Sequence, residues 1–533
     1  MSTFNGSHDN SFKIAIAQIN PVVGDVKGNC EKILNFAQKA QGAAADVVLF
    51  GNLCLAGGFA YDLFLQNDFV QANVDALNHL KSTLPLPTLF GGVVRERGKC
   101  VNAIMYLDKN TSSIAYRGSS TYTRKYFRDD YKLNFIEIKN QRITSAICST
   151  PKELYDAAAR VNDQFVKIDI FFVLSASPFY VGKSKEFKET AQAAAKKFNL
   201  DIVFVNIAGA EDGYIFDGSS FAVNKDGCFK AICKTFTEDF TIFDFSDRQD
   251  ITPREPLKTA QAYEALKYGL KDYCYKNNFN HVTLGLSGGI DSAMALVIAI
   301  DALGSKNVTG VFMPSKYTSV QSKEDVKKLC RINNVKLLQI PISPLMEGYS
   351  MVLKETFEEP ISASITEENL QPRIRANILM ALSNKFGWLV LNASNKSEIA
   401  CGYTTLYGDM AGGYGVISDV SKTFLYELVR YRNEIGVNEV IPKSIIERAP
   451  TAELRANQKD TDTLPPYDIL DKALKNYELK LEGQDIEEDA ADRDFFKMLI
   501  RSEFKRRQSV IGTKISKKTF GKDILLPVNN GYK

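Results

Sequence analysis

The chain has 533 residues, too many for one hydrophobic core, which predicts two domains. Hydrophobic residues make up 45% and charged residues 24%, and the net charge of +3 is near neutral for this length, so neither a nucleic-acid nor a membrane partner is expected. Nine cysteines lie scattered without a Cys-x-x-Cys pair, which predicts a reducing, cytoplasmic protein rather than a disulfide scaffold or a zinc site.

Residues 1–10 read as a polar, disordered leader, without the apolar stretch of a signal peptide. Over 11–248, short β runs alternate with helical spacing. The runs include 13–17, 46–50, 88–94, 168–174 and 202–206, and the helical stretches 30–41 and 184–199. That order predicts a layered α/β domain. Residues 249–257 are polar with Pro253 and Pro256 and read as the linker. A helix over 259–277 leads into a strand at 282–286. Further strands are expected at 307–313, 335–340 and 388–391, with helices at 319–333 and 368–384. This predicts a doubly wound parallel sheet in a second domain, 258–533, whose tail from about 470 is helical and then irregular and basic. The three histidines, His8, His79 and His281, neighbour no nucleophile or carboxylate pair in sequence, so a Ser-His-Asp or His-metal mechanism is not expected.

The most informative segment is Ser287-Gly288-Gly289-Ile290-Asp291-Ser292, between the strand at 282–286 and an apolar helix. The two glycines let the backbone approach a ligand closely. The free amides of the helix's first turn then point at an anion. No Gly-Lys-Ser/Thr follows, so this is not the common nucleotide loop. Its acid, Asp291, makes sense beside phosphates if it holds Mg²⁺. The plainer alternative is an ordinary Gly-rich turn. The loop resembles the pyrophosphate loop of the ATP-pyrophosphatases, which split ATP between the α and β phosphates.

Later segments extend the resemblance: Glu367–Arg375, Asn395–Ala400, Tyr403–Gly413, Asp419–Lys422, Ala449–Arg455 and Leu464–Asp468. Together with the loop, they make 258–533 resemble NAD⁺ synthetase. The resemblance implies adenylation of deamido-NAD⁺ by ATP with release of pyrophosphate. Ammonia then displaces AMP. It implies that Ser287, Gly288, Gly289, Asp291 and Ser292 hold phosphates, that Met313 packs near the adenine, and that Thr451 serves ATP. Asp291 and Glu398 would ligate Mg²⁺, and with Lys422 carry the catalysis. Asn369, Arg373, Arg375, Glu398, Tyr403, Thr404, Thr405, Leu406, Lys422 and Lys505 would meet deamido-NAD⁺. For Lys505–Arg507 a solvated basic patch is the alternative. The chain departs from the family at Ala393, where a threonine is usual; Ser394 could substitute. The family is homo-oligomeric, which implies at least a dimer through synthetase domains.

Residues 12–245 resemble the nitrilase-like glutaminase domain joined to bacterial NAD⁺ synthetases, through Ile14–Asp25, Ser175–Phe179 and Phe216–Phe221. That domain works by a Glu–Lys–Cys triad. Here Asn52 stands where the base glutamate belongs, Gly118 where the lysine belongs, and Cys148 at the nucleophile position is followed by Ser149-Thr150 instead of an acidic pair. A thiol without a base is mostly protonated at neutral pH. The expected nitrogen donor is therefore ammonia. Two alternatives stand beside it: glutamine, with ammonia released at Cys148, and a first domain that serves only structure or oligomerisation.

Overall fold

The computed structural model describes residues 11–96, 99–108, 112–117, 125–127, 132–133, 135–164, 166–357, 364–436, 438–508, 527–528 and 530–531. The predicted leader, His8 and Gly118 lie outside the described residues. The chain divides into two compact units, Met1–Gln261 with Ser516–Lys533, and Ala262–Ile515.

The first unit carries two sheets. One runs in the order β15 (Asp239–Asp244), β1 (Lys13–Gln18), β2 (Val47–Leu49), β3 (Thr88–Glu96), β4 (Lys99–Leu107), β5 (Ser112–Arg117) and β6 (Lys132–Leu133). The other runs β14 (Phe229–Ile232), β13 (Phe221–Val223), β10 (Asp201–Asn206), β9 (Ile170–Ser175), β8 (Gln141–Ile147) and β7 (Phe135–Ile138). A hairpin, β11 (Ala208–Glu211) with β12 (Tyr214–Asp217), stands apart.

The period of two explains the layering. Ile14 and Ile16 of β1 enter one core with Phe172, Leu174 and Val203 of the second sheet. Ala15 and Ala17 enter the other core with Ile33 and Phe36 of helix α1 (Val26–Gly42) and Leu77 and Leu80 of α2 (Asn67–Thr83). Helices α3 (Pro151–Asn162) and α4 (Lys183–Phe198) cover the second sheet through Leu154, Ala158, Phe187 and Ala191. The result is a helix–sheet–sheet–helix sandwich of the nitrilase type.

The tail differs from the expected division. Val528 N donates to both carboxylate oxygens of Asp212, at 3.0 and 3.1 Å, and Gly531 N donates to the Val23 carbonyl at 2.6 Å. Backbone donors finding acceptors on the first unit draw these residues there. Sequence continuity alone had grouped them with the second domain.

The second unit is built on a parallel sheet, in the order β18 (Lys336–Gln339), β17 (Val308–Phe312), β16 (Val282–Leu286), β19 (Leu389–Asn392) and β20 (Tyr414–Gly415). Predicted strand ends in both units shift by no more than a residue or two. Helix α5 (Lys258–Lys276) precedes β16. Helices α6 (Ile290–Leu303), α7 (Val320–Ile332), α8 (Ser343–Phe357), α9 (Ile365–Phe386), α10 (Lys396–Cys401) and α11 (Lys422–Ile435) follow in turn. Helices α12 (Lys443–Glu447), α13 (Tyr467–Leu481), α14 (Ala490–Arg501) and α15 (Glu503–Arg506) complete the unit. The strand order reverses beside β16, between β17 and β19. Such a switch point opens a crevice at the carboxyl ends of the strands, where doubly wound folds bind ligands. No helix among the described residues is long and apolar enough to cross a membrane.

Candidate functional site

A cavity of about 300 Å³ lies at that switch point, with Ser287, Asp291, Glu398 and Lys422 in its wall. The loop on its floor is shaped by its own serines. Gly289 N donates to Ser287 Oγ at 3.1 Å, and Ser292 Oγ donates to the Gly289 carbonyl at 3.2 Å. Gly288 takes a φ of +85°, and a β-carbon there would lie 3.0 Å from Ser322 Cα. Glycine is required on both counts.

Asp291 sits in the first turn of α6, and Glu398 in the first turn of α10 on the other side of the switch point. Asn395 joins them. Its Oδ1 caps α10 by accepting from Glu398 N at 2.9 Å, while its Nδ2 donates to Asp291 Oδ1 at 2.8 Å. Lys422 opens α11 and places Nζ 2.6 Å from Asp291 Oδ2 and 3.6 Å from Glu398 Oε1.

The three charges tune one another. Burial pushes the Glu398 carboxyl up, the Asp291 charge pushes it further, and Lys422 opposes both. Burial alone would push the Lys422 ammonium down, but the two carboxylates outweigh it and hold it above its usual value. Asp460 is raised by burial, against a hydrogen bond from Tyr467.

Among the described residues no three His, Cys, Asp or Glu side chains converge as a complete metal cage. Two carboxylates meeting at one ammonium are the share a protein gives when substrate phosphates supply the remaining ligands, as is usual for magnesium. Asp291 and Glu398 fit that role.

The other predicted residues divide into two groups. Met313, Arg375, Tyr403, Thr404 and Thr451 line the cavity with the loop. The Thr404 hydroxyl is buried there and closes no hydrogen bond. Burial lowers the Arg375 guanidinium to about 10, and its Nε donates to the Met313 carbonyl at 3.1 Å. The rest support the turn 402–409. Thr405 Oγ1 donates to Asn369 Oδ1 at 2.9 Å, and Arg373 Nε donates to the Leu406 carbonyl at 3.1 Å. Lys505 Nζ donates to the Gly402 and Thr404 carbonyls, both at 2.7 Å. It is therefore a brace for the turn and not part of a solvated patch. Arg506 binds the Ile399 and Ala400 carbonyls at the end of α10; only Arg507 is an exposed ion pair. Ser394 lines the cavity, but its hydroxyl is spent on the Asp409 carbonyl at 3.2 Å.

Sequence reasoning gave no role to Asn395, Asp409, Arg448, Glu453 or Asp460, all near or in this wall. Burial lifts the Asp409 carboxyl to about 6, against a hydrogen bond from Thr405 N. For Asn395 a signal existed, since Asn three residues before Glu is a helix-start signature.

In the first unit, Asn52 and Cys148 meet around Ser175. Asn52 N donates to the Ser175 carbonyl at 2.9 Å, and Ser175 Oγ donates to the Cys148 carbonyl at 2.7 Å. Asn52 is 4% exposed and its Oδ1 closes no hydrogen bond; Cys148 is 1% exposed. Burial, and then the charge of Glu153, push the thiol well above its usual range. Lys125, the nearest lysine to Gly118 in sequence, is bound to Asp62 at 2.7 Å. His281 packs its ring on Trp388 and meets Thr309 Oγ1 at 2.9 Å, and His79 is exposed on α2, so neither belongs to a site described here.

A Gly-rich loop with an internal acid, faced by a carboxylate and a lysine at a switch point, defines a nucleotide-using α/β enzyme site. The NAD synthase family matches residues 262–509, and the carbon–nitrogen hydrolase family matches residues 13–253. The glutamine-dependent NAD(+) synthetases of Thermotoga maritima and Acinetobacter baylyi are each 36% identical to the chain, over 98% of it and 99% of their own length. The structure of the glutamine-dependent NAD⁺ synthetase of Acinetobacter baumannii in complex with ADP superposes with a TM-score of 0.83, at 32% identity, covering 98% of this chain and 99% of that one. The chain belongs to the NAD⁺ synthetase family, in its two-domain form with a nitrilase-like first unit. It is a carbon–nitrogen ligase that uses ATP. The relatives' names give glutamine as the nitrogen source. Kinship therefore does not support the expectation of ammonia and fits the alternative, release from glutamine at Cys148, better.

The raised thiol has a measurable consequence. With its pKa above the usual value and its side chain enclosed, Cys148 holds less thiolate than an ordinary thiol at the same pH. Because Cys228 is partly exposed and Cys148 enclosed, iodoacetamide at pH 9 should alkylate Cys228 well ahead of Cys148, as followed by peptide mass spectrometry. Labelling of Cys148 at pH 7 at the rate of a free thiol would contradict this.

Proposed function

We propose that this NAD⁺ synthetase adenylates deamido-NAD⁺ and amidates the product with free ammonia. A carboxylate oxygen of the substrate attacks the α-phosphorus of ATP and pyrophosphate leaves. Ammonia then attacks the acyl carbon, AMP leaves, and the nitrogen gives up a proton. The observation that carries the reading is the meeting of Asp291, Glu398 and Lys422 beside the 287–292 loop. The loop amides receive phosphate, and Thr404 and Arg375 offer donors to the second substrate. Asp291 and Glu398 would hold magnesium, which when bound supplies charge neutralisation to the triphosphate. Lys422 orients both carboxylates and adds a positive charge facing the developing anion.

For the donor, the names of the relatives stand on the side of glutamine. What supports ammonia is this chain's own residues. Amide hydrolysis by a thiol needs a proton acceptor, donors for the oxyanion and a proton for the leaving ammonia. Asn52 accepts no proton at neutral pH, Gly118 carries no cation, and Cys148 is buried with a raised pKa. Members of a catalytic unit fail together, so one surviving cysteine keeps no proportionate share of activity. The reading that glutamine is used at Cys148 requires replacements for Glu and Lys from residues outside these positions.

We also propose a homo-oligomer, at least a dimer, through the second unit, with the protein working in the cytoplasm. Helix α8 has no buried residue, and Met351 and Val352 are 76% and 77% exposed. Met380 and Phe386 of α9 add to the exposed apolar surface of the unit. A second copy covering such surface is the ordinary use of apolar area on a soluble enzyme.

Three experiments follow. Asp291→Asn and Glu398→Gln should each lower NAD⁺ formation by about a hundredfold or more with the fold intact by circular dichroism; a near-normal rate at saturating magnesium removes that residue from the site. Ammonium should support NAD⁺ synthesis where glutamine supports little, and Cys148→Ala should leave the ammonium rate unchanged. Robust glutamine-dependent synthesis that vanishes in Cys148→Ala gives the donor to glutamine. Sedimentation should show a dimer that Met351→Glu/Val352→Glu turns into monomer, and an undisturbed dimer moves the interface elsewhere.

A further inference from the structure

The phosphate loop has a charged neighbour with no part in the reading above. Ser322, near the start of α7, presses on Gly288, its carbonyl oxygen lying 3.0 Å from where a β-carbon would be. Ser322 Oγ donates to the Glu453 carboxylate, 3.0 Å from Oε2 and 3.1 Å from Oε1. Arg448 closes the triangle. Its Nη1 donates to Ser322 Oγ and its Nη2 to Glu453 Oε1. All three residues line the cavity with Ser287 and Gly289.

An acid at this place is paradoxical for a site that receives a polyanion, because like charges a few Å apart repel strongly away from bulk water. The arrangement makes sense if the acid is exchangeable. Among the described residues, three basic ones line the cavity: Arg375, Lys422 and Arg448. Lys422 is held by the two site carboxylates, and Arg375 spends its Nε on the Met313 carbonyl. Arg448 is the one whose ion-pair partner, an acid outside the Asp291–Glu398 pair, can be replaced by a phosphate without unmaking the metal-binding carboxylates. A guanidinium fork accepts a carboxylate and a phosphate with the same geometry.

The backbone also favours exchange. Glu453 has a φ of +48° and Asn457 a φ of +58°, left-handed values that strain a glutamate and suit an asparagine better. Glu453 N donates to Thr451 Oγ1, and Thr451 Oγ1 donates to the Gln458 carbonyl.

We infer that Arg448 is a ligand for the pyrophosphate moiety, as the β and γ phosphates of ATP or as the leaving product, and that Glu453 competes with those phosphates for it. The inference rests on the reading that ATP occupies the 287–292 loop. The competition sets the strength of phosphate binding: Arg448 strengthens it, and Glu453 weakens it enough for pyrophosphate to leave.

The test uses the full chain with ATP, deamido-NAD⁺ and ammonium, following pyrophosphate release, with inorganic pyrophosphate added as inhibitor in a second series. Arg448→Met should raise the KM for ATP by about tenfold to a hundredfold, the loss of a charged hydrogen-bonding partner, and leave the KM for deamido-NAD⁺ unchanged. Arg448→Lys should fall between. Glu453→Gln keeps a side-chain oxygen for Ser322 and removes the competing charge. It should lower the KM for ATP by about three- to fivefold and tighten inhibition by pyrophosphate in step, as for a partly exposed ion pair. If pyrophosphate inhibition tightens and the KM for ATP does not move, Arg448 serves the product alone and the ATP arm is overturned. A KM for ATP that rises in Glu453→Gln, or both constants unmoved, makes the pair a structural brace and overturns the inference whatever Arg448→Met does. Melting temperatures of all variants identify any that are merely unfolded. If the unaltered protein releases no pyrophosphate from ATP with deamido-NAD⁺, the underlying reading fails instead.

Discussion

Lys422 stands between Asp291 and Glu398, buried, with its ammonium 2.6 Å from one carboxylate and 3.6 Å from the other. Everything else in the second unit arranges for that meeting. The three residues come from the first turns of three helices, α6, α10 and α11, and two of those helices follow strands on opposite sides of the switch point. Isolated charges at this depth would be prohibitively unfavourable. Paired, they persist, but such a cluster is poor evidence of stability and good evidence of a chemical task. Burial and the Asp291 charge hold the Glu398 carboxyl above its usual range, so a second negative charge here is costly until a cation offsets it, which suits a divalent cation arriving with a polyphosphate.

Around this cluster the wall is made of groups that hold backbone. Asn395 ties Asp291 to the start of α10, and Lys505 and Arg373 grip the turn after α10 by its carbonyls. Side chains that might be read as substrate ligands from their charge are partly spent on positioning. A charged residue at a binding turn can shape the turn, touch the ligand, or do both, and the number of its donors already engaged separates these cases.

The two units diverge in how fold and chemistry relate. In the second, loop, carboxylates and lysine are together. In the first, the sandwich is intact, with alternate residues of β1 feeding two separate cores, and Asn52 and Cys148 are enclosed within it. A sandwich is maintained by burying apolar faces, and nothing in that requirement preserves a base beside a thiol. The relatives at 36% identity are named for glutamine, while this chain carries Asn52, Gly118 and Cys148 at the positions singled out in its first unit.

The sequence alone determined the elements and the phosphate loop. Apolar alternation and helical spacing act over a few residues, so β16, α6 and their glycine turn were legible, as was the parallel order. Gly288 was legible because a tight strand-to-helix turn demands glycine wherever it occurs. Tertiary structure alone decided what distant side chains do to each other. Arg448, Glu453 and Ser322 form one triangle from two segments more than a hundred residues apart; Glu453 lies in the segment Ala449–Arg455, but nothing local shows that it meets the other two. Lys505 became a brace because the turn's carbonyls face it, and the last residues joined the first unit because Asp212 and the Val23 carbonyl offered acceptors. Local periodicity is written in the chain because the backbone repeats every two or 3.6 residues. Partnership between charges is set by where the folded elements bring their ends, and that has no period to read.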